Sequence, residues 1–192
     1  MPDPIDLEEA PLTSEEIYDG ALLHVFRDEA RLPDGNTGVR EWIKHPGASA
    51  VVPLFEDGST LLLRQFRYPP RQTFIEVPAG KLDKPGEHPE EVARRELVEE
   101  TGYRGTRFTY LGPFYPCIGY SDEVIHLYLA EGLSQDREEL ALEAHEFVDP
   151  FRVPFSEALQ MVWRGEVQDM KTVTALVMAW NFIEERTKKG TS

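Results

Sequence analysis

Three glutamates are spaced to act together. Glu96, Glu99 and Glu100 fall at i, i+3 and i+4, and on a helix that spacing covers one arc of roughly 100°. Glu96 has another acid four residues on where a stabilising partner would be a lysine. Such like-charge pairs cost roughly a few tenths of a kcal/mol each on an isolated helix. Crowded carboxylate oxygens suit a hard divalent cation, Mg²⁺ or Mn²⁺. A solvated acidic face is the plain alternative and accounts for most Glu-Glu pairs. It does not account for the flanking glycines Gly80 and Gly102, Arg95 and the apolar Leu97 at fixed offsets, or Glu87 ahead of the run.

The elements that would hold these acids are legible. Pro89 suits the first helical position, with Glu90 and Glu91 favourable in the first turn, and Gly102 is a good stop. The helix is expected over about Pro89–Thr101. Ahead of it the pattern is strand-like. Ala21–Arg31 and Val39–His45 flank the turn signal Leu32-Pro33-Asp34-Gly35. Ala48–Phe55 and Thr60–Phe66 flank Asp57-Gly58, and Thr73–Val77 ends at Pro78-Ala79-Gly80. Strands resume at Thr106–Leu111 and Glu123–Ala130, and helices follow near Ser156–Arg164 and Met170–Glu185. In the last, Val173, Leu176, Val177, Trp180 and Ile183 recur at helical spacing. This mixed order predicts an α/β (α+β) sandwich, a sheet covered by helices.

Composition bounds the function. The chain has 192 residues, 41% hydrophobic and 29% charged, which fits one domain with a small appendage and argues against wholesale disorder. The net charge of −15 lacks the basic footprint that duplex nucleic acid requires and disfavours anionic membrane surfaces. Phosphates remain open to such a protein if a divalent cation lies between. Residues 1–20 carry seven carboxylates and no lysine or arginine, and residues 1–16 are read as a solvated acidic lead-in. The lone Cys117 excludes an internal disulfide framework, suits a reducing compartment and is read as structural. The start has neither a basic n-region nor an apolar h-region, so no secretory signal is expected. No apolar run approaches the ~18 residues of a membrane helix. A cytoplasmic location is therefore expected.

At the helix the sequence resembles a known family. Arg95-Glu96-Leu97-Val98-Glu99-Glu100-Thr101-Gly102-Tyr103 matches the second half of the Nudix box, R-E-U-x-E-E-x-G-U with U apolar or aromatic, and Glu87 matches its earlier acid. The segment between Gly80 and Glu87 holds one residue more than the pattern. Arg64-Gln65-Phe66-Arg67-Tyr68-Pro69, Ile75–Asp83, Gly119–Glu123 and Gly165–Thr172 resemble the branch that cleaves ADP-ribose and other nucleoside diphosphate sugars. The proline that ADP-ribose specialists carry beyond the box is replaced by Ile118, which favours a broader sugar range.

The resemblance implies a Nudix-type α/β/α sandwich with a mixed sheet over residues 47–188, and a β subdomain over residues 17–46 that helps form a homodimer. It implies Mg²⁺-dependent hydrolysis, with Mn²⁺ as a substitute. Glu96 and Glu100 would be the principal metal ligands, helped by Glu99 and the carbonyl of Ala79. Arg95 would orient the acids, and Glu87 would support them. Arg67, with Arg64 as a weaker candidate, would contact the diphosphate, Glu123 the distal sugar, and Phe26 and Trp42 the base. The catalytic base would come from the acidic loop at Glu139–Val148. Glu146 is favoured there as base or further metal ligand, Glu143 stands second, and His145 is a rival. The alternatives are another Nudix substrate class (dinucleoside polyphosphate, coenzyme A or capped RNA) and a module that binds nucleotide sugars without cleaving them.

Overall fold

The computed structural model describes residues 5–84, 86–136, 140, 142 and 146–190. Two compact units emerge. One comprises Met1–Pro46 with Cys117–Glu123, the other Gly47–Pro116 with Val124–Ser192.

The first unit is an antiparallel meander of β1 (Ala10–Asp19), β2 (His24–Arg31) and β3 (Thr37–Lys44). Within the stretch read as a solvated lead-in, residues 1–16, a strand already begins at Ala10. All ten β1 residues are exposed, so the strand is held by its ladder to β2 and not by a buried face. That is why charge density alone concealed it. Segment 117–123 adds to this sheet through the Ile43 amide, which donates to the Tyr120 carbonyl, and the His45 amide, which donates to Asp122 Oδ1.

The second unit contains β4 (Ala48–Pro53), β5 (Ser59–Arg67), β6 (Gln72–Glu76), β7 (Ala79–Lys81), α1 (Pro89–Thr101), β8 (Tyr103–Arg104), β9 (Arg107–Phe114), β10 (Ile125–Glu131), β11 (Ser134–Gln135), β12 (Val148–Pro154), α2 (Phe155–Trp163) and α3 (Met170–Gly190). Its main sheet runs β7-β4-β10-β9, and a second sheet runs β12-β5-β6. The β4–β10 pair is parallel, Ala48 opposite Ile125, whereas the other described ladders are antiparallel.

Alternation along β4 and β10 explains the layers. Ala50, Val52, Leu127 and Leu129 point to one side and pack with Phe155, Leu159, Leu176 and Ala179 of α2 and α3. Val51, Tyr128 and Ala130 point to the other and pack with Ala93 and Leu97 of α1. A strand covered on both faces reads as a nearly continuous apolar run; all of β4 is buried, and its one polar side chain, Ser49, donates to the Pro89 carbonyl at 2.6 Å. The sandwich of helix, mixed sheet and helices expected from the sequence is therefore present.

α1 has the predicted bounds. Its N-cap is His88, whose Nδ1 accepts from the Glu90 amide at 3.3 Å while the Glu91 carboxylate accepts from the His88 amide at 3.2 Å, a capping box. Gly102 closes the helix at φ 76°, in the left-handed region, with its amide donating to Val98. The strand β12 is absent from the sequence reading. Pro150 and Pro154 argue against a central strand, and β12 is indeed an edge.

Candidate functional site

The buried side of α1 is not wholly apolar. Val92, Ala93, Leu97 and Thr101 are buried there, and so are Glu96 and Glu100. Helical period forces this, since the acids that flank Leu97 one turn apart cannot all face water while Leu97 enters the core. The site is where that acidic edge meets the turn from β6 into β7.

Glu100, 2% exposed, receives the Ala79 amide on Oε2 at 2.9 Å. Glu96 lies against Gly80, and a Cβ there would overlap its carboxylate. Glycine is required by this close approach, not by its backbone angles. Arg95 gathers the remaining acids, with Nη1 2.6 Å from Glu96 Oε1 and 3.0 Å from Glu99 Oε2, and Nε 3.2 Å from Glu87 Oε1. The second oxygen of Glu87 is buried without a hydrogen-bond partner.

The electrostatics follow from burial and crowding. Burial first, then the charges of Glu99 and Glu146 against the pull of Arg95, push the Glu96 carboxyl up to about 7. Burial and the nearby Glu96 push Glu100 up to about 8, although the Ala79 amide and Lys171 oppose them. Burial disfavours the charged form of Arg95, but Glu87, Glu96 and Glu99 more than offset it and keep the guanidinium firmly protonated.

This donor set fits a divalent cation: buried hard oxygens short of positive charge, an orphaned Glu87 oxygen, and a backbone cradle open because residue 80 has no side chain. Glu96, Glu99, Glu100, Ala79 and Glu146 could hold it. Among the described residues, however, the compact trio of ligand-type atoms is Glu16, Asp19 and His24 in the N-terminal sheet. The α1 acids are instead turned onto Arg95 and Ala79, contacts with which a cation would compete.

Other expected residues fare differently. Glu146 is half-buried, and its charge bears on both Glu96 and Glu100. Glu143 and His145 lie outside the described residues. Arg67 grips Glu76 bidentately at 2.7 and 2.6 Å, and its guanidinium feels the charge of Glu100. Arg64, an odd number of residues away on the same strand, faces the opposite way. It pairs with Asp149 at 2.8 Å and covers the Phe151 ring, so no described contact brings it to the acids. In the N-terminal unit, Phe26 and Trp42 are cross-strand neighbours with rings stacked 5.0 Å apart, and Glu123 lies 3.7 Å from His45.

Sequence reasoning missed the role of a second polar cluster beside the first. Glu76, 3% exposed, ends β6 and binds Lys171 as well as Arg67. Burial raises its pKa, but the two cations more than offset this and hold it below the usual carboxylate range. Lys171 also pairs with Asp169 at 2.8 Å and borders a cavity of about 120 Å³ lined by Phe114, Tyr115, Ile125, Leu127 and Met170. A carboxylate between Ile75 and Val77, in a strand otherwise reading as apolar, was the available signal. Its partner, 95 residues away, lies in the Gly165–Thr172 segment singled out by resemblance, but nothing in either segment named the other as its partner.

Comparison with known proteins finds related sequences and a related fold. A family model described as the NUDIX domain matches residues 44–176. The ADP-ribose pyrophosphatase of Bacillus subtilis is 42% identical over 170 residues, covering 88% of this chain and 91% of that protein. The methanol dehydrogenase activator of Bacillus methanolicus is 40% identical over 169 residues, covering 88% and 91%. Among solved structures, an ADP compounds hydrolase superposes with a TM-score of 0.81 over 94% of this chain and 97% of its own, at 21% identity.

Proposed function

The chain belongs to the NUDIX domain family, and from that premise we propose that it hydrolyses the pyrophosphate linkage of nucleoside diphosphate sugars such as ADP-ribose, giving AMP and ribose 5-phosphate, with Mg²⁺ as the metal and Mn²⁺ as a substitute. The observation that carries the reading is the pair of buried acids Glu96 and Glu100, both pushed far above the ordinary carboxylate range beside Ala79 and Gly80. Among the described residues Arg95, Lys171 and the Ala79 amide offset this charge only in part, and a divalent cation would complete the balance.

When bound, a divalent ion offsets the charge that shields phosphorus and that builds up as the linkage breaks. Glu96 and Glu100 would hold it, with Glu99 and the Ala79 carbonyl in support. Arg95 keeps the acids in register by pairing with Glu87, Glu96 and Glu99. Arg67 supplies a forked donor for the diphosphate oxygens, fixed by the buried Glu76 behind it. Glu146 takes the proton from the attacking water. The water oxygen bonds to phosphorus in line as the bridging P–O bond breaks, and the departing phosphate leaves with the electron pair. Phe26 and Trp42 offer a stacked aromatic surface for a base, Glu123 a carboxylate for the distal sugar, and the N-terminal sheet a surface for a homodimer. A cytoplasmic enzyme without nucleic-acid or membrane partners accords with the net charge and with the absence, among the described residues, of a helix long and apolar enough to cross a membrane.

The test is a substrate panel of ADP-ribose, GDP-mannose, a dinucleoside polyphosphate and coenzyme A with Mg²⁺ or Mn²⁺, with products identified by ³¹P NMR. Preferential cleavage of the sugar nucleotides supports the reading. Cleavage confined to the last two moves the enzyme to another substrate class, and tight sugar-nucleotide binding without product makes it a binding module.

A further inference from the structure

The turn that starts α3 is built more tightly than a helix end needs. Asp169 Oδ2 accepts from the Thr172 amide at 3.0 Å, from Thr172 Oγ1 at 2.6 Å and from Lys171 Nζ at 2.8 Å. Thr172 is fully buried, and its Oγ1 in turn accepts from the Val77 amide at 2.9 Å. The hydroxyl thus spends its one proton on Asp169 and a lone pair on a backbone group 95 residues away. Lys171 adds an ion pair to Glu76, the residue before Val77. On its other side the same short segment is held by the Val51 amide, which donates to the Pro78 carbonyl, and by the Ala79 amide, which donates to Glu100. Four consecutive residues, Glu76–Ala79, are therefore fastened between α3, β4 and α1.

We propose that Asp169, Lys171 and Thr172 form a positioning device for the metal cradle. They fix the Val77 backbone and the Glu76 carboxylate, and thereby the height at which Ala79 meets Glu100. None of the three touches the acids of α1 in a hydrogen bond; Lys171 bears on Glu100 by charge alone, and Asp169 and Thr172 act through the β6–β7 segment. The inference rests on the proposed reading only for the identity of the bound cation. Groups that orient metal ligands without binding the metal are commonly worth about 10–100-fold in affinity.

Thr172→Val keeps the shape, removes the hydroxyl and leaves the Val77 amide unpaired. Thr172→Ser restores the hydroxyl. Mn²⁺ affinity, measured without substrate by electron paramagnetic resonance or calorimetry, is expected to weaken about tenfold in Thr172→Val and to stay within about twofold of the parent in Thr172→Ser. Excess Mg²⁺ should recover most of the turnover, because the defect is in holding the ion. Hydrogen exchange at the Val77 and Ala79 amides should quicken in the metal-free Thr172→Val protein alone.

Glu131→Gln controls for general loosening, since it weakens a buried acid that holds Arg107 and Arg186 away from this turn. It is expected to lower Tm and leave Mn²⁺ affinity intact. The proposal is overturned if Thr172→Val binds Mn²⁺ like the parent, or if Glu131→Gln loses as much affinity. A parent protein that binds no Mn²⁺ overturns both this inference and the proposed function. A parent that binds Mn²⁺ but cleaves no sugar nucleotide overturns the function alone.

Discussion

Replacing Glu100 with Gln should move stability and turnover in opposite directions. The glutamine fits the same space, and its carbonyl oxygen can still accept from the Ala79 amide, now at 2.9 Å from Glu100 Oε2. What disappears is a charge that burial and Glu96 make costly, as the carboxyl's rise from 4.5 to about 8 records. Each unit of such a rise is worth about 1.4 kcal/mol between protonation states, so ionising Glu100 in the metal-free fold costs on the order of a few kcal/mol. Recovering even ~1 kcal/mol of this lifts Tm by about 2–4 °C in a chain of this size. Turnover should fall by at least ~10²-fold, the scale of losing one group that stabilises transition-state charge. The assay is paired: thermal unfolding in EDTA at pH 8, and initial rates on ADP-ribose at saturating Mg²⁺. A variant that melts below the parent while keeping turnover within a few-fold would refute both halves, the crowded-acid electrostatics and the metal assignment.

Further outcomes follow from the same geometry. Glu96 and Glu100 have folded pKa values above their unfolded ones, so the unfolded chain releases those protons first, and their contribution to stability falls as pH rises from about 4.5 through 7 and 8. In EDTA, Tm should therefore decline from pH 6 to 8.5, and the increment given by Mg²⁺ should grow over that range; an increment that shrinks with pH would contradict this. Glu76 has the opposite sign, its folded pKa lying below the unfolded value. Its contribution is present above about 4.5 and lost as pH falls through the folded value, and Glu76→Gln should flatten the acid side of the Tm profile. Gly80→Ala drives a methyl into the Glu96 carboxylate and should weaken Mn²⁺ binding about tenfold or more, on the scale of disturbing a ligand's support; binding calorimetry checks this. Arg67→Lys loses the fork that both Glu76 and a diphosphate require and should raise KM for ADP-ribose about tenfold with little change in kcat.

What the sequence disclosed depended on how local the cause was. α1 was legible to the residue because Pro89, the acids behind it and Gly102 are start and stop signals within one helix length. Arg95 pairs with Glu99 four residues on, although the reading that it orients the acids came from the family resemblance and not from that spacing. β1 was not legible, because an exposed strand has no apolar period to read and exists through its ladder with β2. β12 hid behind its prolines. The strand order was out of reach, since nothing in Ala48–Pro53 names Ile125–Glu131 as its parallel neighbour. The Glu76–Lys171 and Val77–Thr172 contacts were invisible for the reason that makes them useful: each joins segments 95 residues apart.

The parallel pairing of β4 with β10 has a consequence for how the protein comes into being. The floor on which α1 rests is made from two stretches that leave the ribosome far apart, Ala48 meeting Ile125, and the strap on the β6–β7 segment arrives later still with Thr172. A nascent chain lacking α3 would own every box glutamate and Arg95, yet lack the Thr172 and Lys171 contacts that fasten the β6–β7 segment. Ion capture would then await the arrival of α3, and chains truncated after Glu131 should fail to retain Mn²⁺ on a desalting column that the 192-residue chain passes loaded.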